Sequence, residues 1–528
     1  MTGRRDGAVP APGWFATLIG RPILWGILLA ALVATESAAV FGSVLNHDVA
    51  WIIHGAGRWL EGARLYRDIV EINPPLIFYL TAPAVWLARA LGLPEIAVFR
   101  GFLLALIIGS LLVCRVLIER IFAGRSVAMR GSLLLLVAIL FFPGADFGER
   151  EHLMMILALP WFLAAAGRAA GRPITARPMI LIALAAGVGL ALKPFFLLPW
   201  IAVELYLALP VGWRGLRRID TLCVAGVMLL YVAAVLLLAP EYLPLARMAS
   251  GVYGAYDRPI AALLRRDGTI VWVIAAAALP LLRFATEERR AVMALVIAAT
   301  GFLAGAFYQH KGWDYHFLPA LGLGLMVIHL SFFLFAERSA SVSPPIISSP
   351  IVSRLLAVCV ALLIGIAAIG DFRASSIIPA DYLDLLPVVR AQPPGATIAV
   401  LSTSIYYAFP LVNYSGARWG LRFNALWMLP GLYQGAPATG PFPYHDFHSM
   451  GELERYALTA TVDDLLASRP LLVVVDRHPY KQGFGDAPFD FLEYFARDPR
   501  FAAFLRDYDS IATVHSLLVL RRGSYPLR

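Results

Sequence analysis

From Ile23 onward the chain alternates long apolar runs with short charged stretches. Runs of roughly 17 to 25 apolar residues, long enough to cross a hydrocarbon core as helix, begin near Ile23, Ile96, Gly131, Leu153, Met179, Phe195, Leu222, Thr269, Val292, Phe317 and Leu355. The pattern predicts about eleven spans. The first run stays rich in Ala and Leu through Val40 and no small-residue cleavage site follows it, so it is expected to be a retained span rather than a signal peptide.

Lys and Arg concentrate in short loops: "ERIFAGRSVAMR", "GRAAGRPITARP", "GWRGLRRID" and "TEERRA". With Arg4 and Arg5 inside, the positive-inside bias puts all of these in the cytoplasm. The parity closes only if one apolar segment does not cross. "PPLIFYLTAPAVWLARAL", Pro74 to Leu91, is short, opens with Pro-Pro and contains Pro83, so it is expected to lie flat as an interfacial helix on the periplasmic face.

The pattern changes towards the C-terminus. A Ser/Pro-rich stretch, "ERSASVSPPIISSPIVSR", reads as a cytoplasmic linker before the last span, about Leu355 to Ile369. Charge, Pro and Gly then return. "TIAVLSTS", "LLVVVD" and "IATVHSLLVLRR" read as buried strands, while "ADYLDLLPVVRA", "TVDDLLAS" and "FDFLEYFARDPRFAAFLRDY" carry helical periodicity. The expectation is a polytopic α-helical membrane domain over residues 1–371 and a periplasmic soluble α/β domain over 372–528. With that domain in a periplasm, the membrane is expected to be a bacterial inner membrane.

Composition sharpens this in two respects. With 59% hydrophobic and only 15% charged residues, and a mean hydropathy of +0.72, the chain is excluded from the soluble globular class. The net charge of +9 follows largely from the basic loops, so it implies anionic lipid headgroups as neighbours and no nucleic acid. Cys114, Cys223 and Cys359 all fall in apolar runs, which suggests packing rather than a disulfide framework or a thiolate metal site.

The same parity sends several polar clusters to one face. They are the stretch around His47, Asp48, Arg58, Glu61, Tyr66, Arg67 and Asp68; "GADFGEREH", which holds Glu149, Arg150, Glu151 and His152; Lys193 in "LALKPFF"; and "YQHKGWDYH", which holds Lys311, Tyr315 and His316. The loop "MASGVYGAYDRP" adds Tyr253, Tyr256, Asp257 and Arg258. Each has an ordinary reading. Asp48 sits just past a span, Glu149 and Glu151 suit a helix N-terminus, Lys193 could snorkel, and Trp, Tyr and Lys form interfacial belts. Ionisable groups at the mouths of spans are nonetheless costly unless paired or solvated, and so many on one face point to a site.

At these residues the chain resembles the glycosyltransferase C superfamily, in the style of bacterial relatives of protein O-mannosyltransferases and the lipid A aminoarabinose transferase. The likeness runs from Asp48 through Gly62, Tyr66 and Asp68 to Pro74-Pro75 and the following juxtamembrane helix, with a second acidic motif at Glu149 and Glu151 and a Lys before Pro at Lys193. It implies transfer of a sugar from a polyprenyl phosphate carrier to an envelope lipid, glycan or protein, with Asp48 as general base and Glu149 and Glu151 as further catalytic carboxylates. Arg58, Tyr66, Arg67, Asp68, Arg150, His152, Lys193, Lys311, Tyr315 and His316 would bind substrate, with Lys193, Arg150, Lys311 and His316 as candidates for the carrier phosphate. The second motif reads Glu-Arg-Glu-His rather than an Asp-containing form, which leaves use of a divalent cation, Mg²⁺ or Mn²⁺, open.

Other classes fit less well. A flippase or transporter would show paired broken helices or repeated halves, and a lipid-linked glycan ligase or polymerase would carry its key residues in a large mid-chain outer loop. In the C-terminal region, Tyr and Trp in "NYSGARWGLRFNALWMLPGLY" suit either sugar stacking or an apolar interface, and "YHDFH" reads as a solvated loop more readily than as a metal site.

Overall fold

The computed structural model describes residues 20–283, 286–339 and 380–523. The first part is helical: α1 (Pro22–Gly42), α2 (His47–Leu60), α3 (Leu76–Leu91), α4 (Glu95–Ile121), α5 (Val127–Leu140), α6 (Arg150–Ala169), α7 (Ala176–Leu190), α8 (Leu197–Ala208), α9 (Ile219–Leu238), α10 (Tyr242–Ser250), α11 (Asp267–Ala278), α12 (Thr286–Gln309) and α13 (Asp314–Ser339). Six of these, α1, α4, α6, α9, α12 and α13, are long and apolar enough to cross a membrane. Their outward faces are apolar as well, with Leu112, Val116, Leu229, Leu230 and Leu237 all exposed. Side chains of that kind are stable there only against lipid, and the protein is a multi-pass membrane protein.

Four further expected spans fall on shorter apolar helices, α5, α7, α8 and α11. The shortening has a local cause. Pro143 follows α5, Pro194 separates α7 from α8, and Pro280 follows α11, each removing a backbone donor and disfavouring helix at the residue before it. The eleventh expected span, the Ser/Pro-rich linker, the boundary at 371/372 and Cys359 lie outside the described residues.

The two ends of the bundle can be told apart by their contacts. Arg100, near the start of α4, donates to the Ser43 carbonyl at 2.8 Å and to the Phe41 carbonyl at 3.3 Å, so the chain leaves α1 and enters α4 at the same end. The intervening α2 and α3 pack on each other. Arg89 of α3 reaches the Gly57 carbonyl and pairs with Glu61 and Glu95. Trp86, Leu87 and Leu91 form the outer face of α3, and Ile77, Phe78 and Val85 the inner one. Both faces of this helix are thus apolar, one packed inward and one turned outward. At the opposite end Arg125 pairs with Glu288 and Glu337, Arg172 with Glu287, Arg168 with Asp220, and Arg218 with Glu204. The basic loops therefore gather together, as the charge parity required.

Residues 380–523 carry α14 (Ala380–Arg390), α15 (Glu452–Ser468) and strands β1 (Thr397–Leu401), β2 (Arg418–Trp419), β3 (Leu472–Asp476), β4 (Tyr508–Val514) and β5 (Leu517–Arg522). The sheet order is β2-β1-β3-β5-β4, with β1 parallel to both β2 and β3, and β5 antiparallel to β3 and β4. The stretch "IATVHSLLVLRR", expected as one strand, is a hairpin: His515 takes φ +53° at the turn and the chain doubles back. His-Ser is not a turn pair that sequence pattern flags. β3 is buried along its whole length.

The sheet unit sits on the end of the bundle that holds α2 and α3. Val70 donates to the Arg422 carbonyl at 2.8 Å, Asn413 to the Ala50 carbonyl at 3.0 Å, and the Tyr256 hydroxyl to the Trp427 carbonyl at 3.0 Å. Gly431 lies so close to the Val252 backbone that any Cβ would clash, which fixes how near the two parts approach.

Candidate active site

Between the sheet unit and the bundle lies a cavity of about 840 Å³. Asp48, Arg150, Lys193, Lys311, Tyr315 and His316, drawn from four separate clusters in the sequence, all line it. Local chemistry puts each of them there. Asn46 caps α2, its side-chain oxygen accepting from the backbone N–H of Asp48 at 2.8 Å, so Asp48 occupies the first turn. Gly148 takes φ +94°, where Val49 leaves no room for a Cβ, and that turn starts α6 beside α2 with Arg150 as its first residue. Lys193 is held in extended backbone by Pro194, at the break between α7 and α8.

The cations differ in how far they are already engaged. Lys193 Nζ donates to Glu151 Oε1 at 2.6 Å, and His316 Nε2 lies 3.8 Å from the same oxygen. Lys311 Nζ donates to Asp257 Oδ1 at 2.5 Å and to the Tyr253 carbonyl at 2.6 Å. Arg150, also buried, has Glu149 at 3.8 Å, with Asp48 and Glu71 also within electrostatic reach, and its Nε has no hydrogen-bond partner. Glu149 is fully buried, with neither carboxylate oxygen hydrogen-bonded. Leaving buried ionisable groups without hydrogen bonds costs about 1 to 3 kcal/mol or more, so these two stand out among the buried polar groups.

On the other wall, the His47 ring lies tilted against Tyr406 of the sheet unit, centroids 3.9 Å apart, and places Nε2 3.8 Å from Asp48 Oδ2. Burial holds the His47 imidazole below the ordinary histidine value, Asp48 pulls it back up, and Arg150 depresses it further. Burial, and then Asp48, push the Tyr406 phenol up to about 12. Both rings therefore enter the site neutral.

The remaining expected site residues stand elsewhere. Glu149, Glu151 and His152 lie behind the cavity wall. His152 Nδ1 accepts from the Gly148 N–H at 2.9 Å and its Nε2 lies 2.8 Å from the Phe141 carbonyl, so this side chain closes the turn before α6. Arg58 is in the last turn of α2, about 15 Å of helix from Asp48. Arg67 is exposed. Tyr66 is buried, its hydroxyl on the Asn73 carbonyl at 2.7 Å and its ring against Tyr242. Asp68 braces the loop by accepting from the Arg64 N–H at 2.9 Å.

Sequence reasoning passed over Glu71, Tyr406, Thr403 and Gln482, all of which line the cavity. Glu71 accepts from Trp51 Nε1 at 2.9 Å and from three groups of Ile72 and Asn73, fixing the turn into α3. Its place within the same loop as Asp48 was the available signal. For the others there was none, because they reach the site only through the docking of the sheet unit. Among the described residues no three His, Cys, Asp or Glu side chains gather closely enough to hold a metal ion. A divalent cation finds no such ligand set here, and no step below is routed through one.

No family model matches the sequence, and no curated protein matches it significantly. Among solved structures, ArnT from Cupriavidus metallidurans in the apo state is similar at a TM-score of 0.55 and 13% identity, covering 94% of this chain and 98% of that one. The arabinofuranosyltransferase AftD from Mycobacteria aligns at a TM-score of 0.44 and 14% identity, over 94% of this chain and 41% of that one. At such identity the likeness to ArnT speaks for the fold. Over nearly its whole length, this chain has the fold of ArnT.

Proposed function

We propose that the protein is a membrane glycosyltransferase that moves a sugar from a polyprenyl phosphate to a hydroxyl of an envelope lipid, glycan or protein. One observation carries this reading: a carboxylate, Asp48, and a buried arginine short of partners, Arg150, face one cavity at the end of a bundle of lipid-exposed helices. A polar headgroup tethered to an apolar tail can enter such a cavity while its tail stays in the bilayer. The positive-inside bias assigns the opposite, basic end to the cytoplasm and this end to the periplasm.

In the proposed step the acceptor oxygen forms a bond to the anomeric carbon as the bond from that carbon to the phosphate oxygen breaks. Asp48 takes the hydroxyl proton as the new bond forms. The electron pair leaves with the polyprenyl phosphate, whose added charge is met by a cation already in position. Arg150 is the best placed, since its guanidinium offers paired donors to phosphate. Lys193 and Lys311 are committed to Glu151 and Asp257 and set the field around it. His47, kept neutral, orients Asp48.

The test is mass spectrometry of envelope lipids and glycans from cells with and without the protein. Loss of the protein is expected to leave a polyprenyl-phosphate sugar accumulating and one glycan modification missing. Unchanged lipid and glycan profiles would contradict the reading.

A further inference from the structure

The walls of the cavity are chemically unlike. Arg150, Lys193, Lys311, Arg266, Asp48 and Glu71 all come from the helical part. None of the residues that the sheet unit contributes to the cavity carries a charge; those with polar or aromatic side chains include Thr403, Tyr406, Asn424, Trp427 and Gln482. Trp427 is half-buried and stands edge-on to Tyr253, centroids 6.0 Å apart, and Tyr253 in turn meets Trp313 at 6.1 Å. The Trp427 backbone is pinned by the Tyr256 hydroxyl. Beside it, the Asn424 side-chain oxygen is buried without a hydrogen-bond partner, and the Thr403 hydroxyl is anchored on the Gln482 carbonyl at 2.8 Å.

We infer that this wall is the acceptor subsite and that the acceptor is a neutral carbohydrate. The inference rests on the transferase reading above and goes beyond it by naming the acceptor class. Rigid aromatic rings offer flat apolar faces to the C–H face of a pyranose at little entropic cost. The buried Asn424 oxygen accepts from a sugar hydroxyl, and a site built to hydrogen-bond a hydroxyl strongly disfavours ligands that lack it. An anionic acceptor, such as a phosphorylated lipid headgroup or a uronate, would find no countercharge on this wall. The donor phosphate and the neutral acceptor then occupy opposite walls, and a charged acceptor does not compete for Arg150.

The test separates this from the donor chemistry by measuring acceptor binding alone. The full chain in lipid nanodiscs is titrated, without donor, with neutral hexopyranose oligosaccharides, a uronic acid oligosaccharide of the same length and a Ser/Thr-rich peptide, followed by tryptophan fluorescence and ligand-observed NMR. Neutral oligosaccharides are expected to bind at least tenfold more tightly than the other two. Trp427→Ala is expected to weaken that binding roughly tenfold and Asn424→Ala by several-fold, whereas Trp427→Phe, which keeps a ring, retains most of it. Thermal unfolding of each variant identifies any that fail to fold, and Asn424→Ala carries the test if Trp427→Ala does. Equal or tighter binding of the uronate or peptide, no binding of any neutral oligosaccharide, or unaltered binding in folded Trp427→Ala and Asn424→Ala would overturn the inference. Release of polyprenyl phosphate from a polyprenyl-phosphate sugar, measured in the same nanodiscs, reports separately on the transferase reading.

Discussion

The two ends of the helical bundle use their ionisable groups in different ways. At the basic end the charges hold helix ends together: Arg168 donates to Asp220 at 2.6 Å, Arg172 reaches both the Ile121 carbonyl and Glu287, and Arg125 bridges α12 and α13 through Glu288 and Glu337. Most of those arginines keep part of their side chain in solvent. At the sheet-bearing end the charges are more deeply buried and less well satisfied. Arg150 and Glu149 are buried side by side at 3.8 Å, with an unpartnered Nε on one and two unpartnered oxygens on the other. At the basic end Arg218 Nε and Asp220 Oδ1 also lack a hydrogen bond, but both side chains keep closer ion pairs than the 3.8 Å of Arg150 and Glu149.

That contrast breaks most visibly at Asp48. Asp48→Asn keeps the size of the side chain and much of its hydrogen bonding but cannot take a proton, so the transfer rate is expected to fall by about 100-fold to 10,000-fold, measured on purified, folded protein. Next comes Arg150→Ala, expected to lower turnover roughly tenfold to a hundredfold or more through loss of a charge-assisted contact to the carrier phosphate. Arg150→Lys should restore only part of it, because the paired donors are gone. Lys193→Ala is expected to be damaging chiefly because it strands Glu151, which is buried and otherwise near only His316. The double variant Lys193→Ala, Glu151→Gln should therefore recover stability relative to Lys193→Ala, and simple additivity in a double-mutant cycle would contradict the pairing.

The basic end supplies the control. Arg168→Ala removes the closer of the two arginine partners of buried Asp220, leaving Arg218 at 3.6 Å, and is expected to cost about 1 to 3 kcal/mol of stability, read from thermal unfolding, while turnover per folded molecule holds. The smallest effect is expected at Asp68→Asn, which weakens one exposed loop brace to the Arg64 N–H. A loss of transfer well beyond tenfold in that variant would show that the loop reaches the substrate.

Much of this arrangement was legible in the sequence for a physical reason. Hydrophobic run length and the placement of Lys and Arg report directly on burial in lipid, and ten of the eleven expected spans begin on described helices. The expectation that Pro74–Leu91 does not cross came from its prolines and from charge parity, and the Arg100 contacts show that α1 ends at the same end of the bundle where α4 begins. Convergence of Asp48, Arg150, Lys193, Lys311 and His316 was readable because each sits at a helix mouth on the same face. The finer division of roles was not. Arg58, Arg67 and Asp68 share a stretch with Asp48, yet α2 carries the chain away from the cavity before they occur. His152 looked like a ligand from its neighbours, and only the turn geometry reveals it as a backbone latch. Tyr406 and Trp427 belong to a part of the chain whose docking no local periodicity encodes.

The central claim is that the cavity turns over a lipid-linked sugar, and the most direct measurement is made on the purified full chain in nanodiscs. Polyprenyl-phosphate hexose and pentose donors are incubated with the protein and an envelope extract, and free polyprenyl phosphate and glycosylated product are quantified together by mass spectrometry. One donor is expected to yield both in equal amounts, at a rate that collapses in Asp48→Asn. Intact donors throughout, or a wild-type rate in Asp48→Asn alongside loss in Glu149→Gln or Glu151→Gln, would contradict the account.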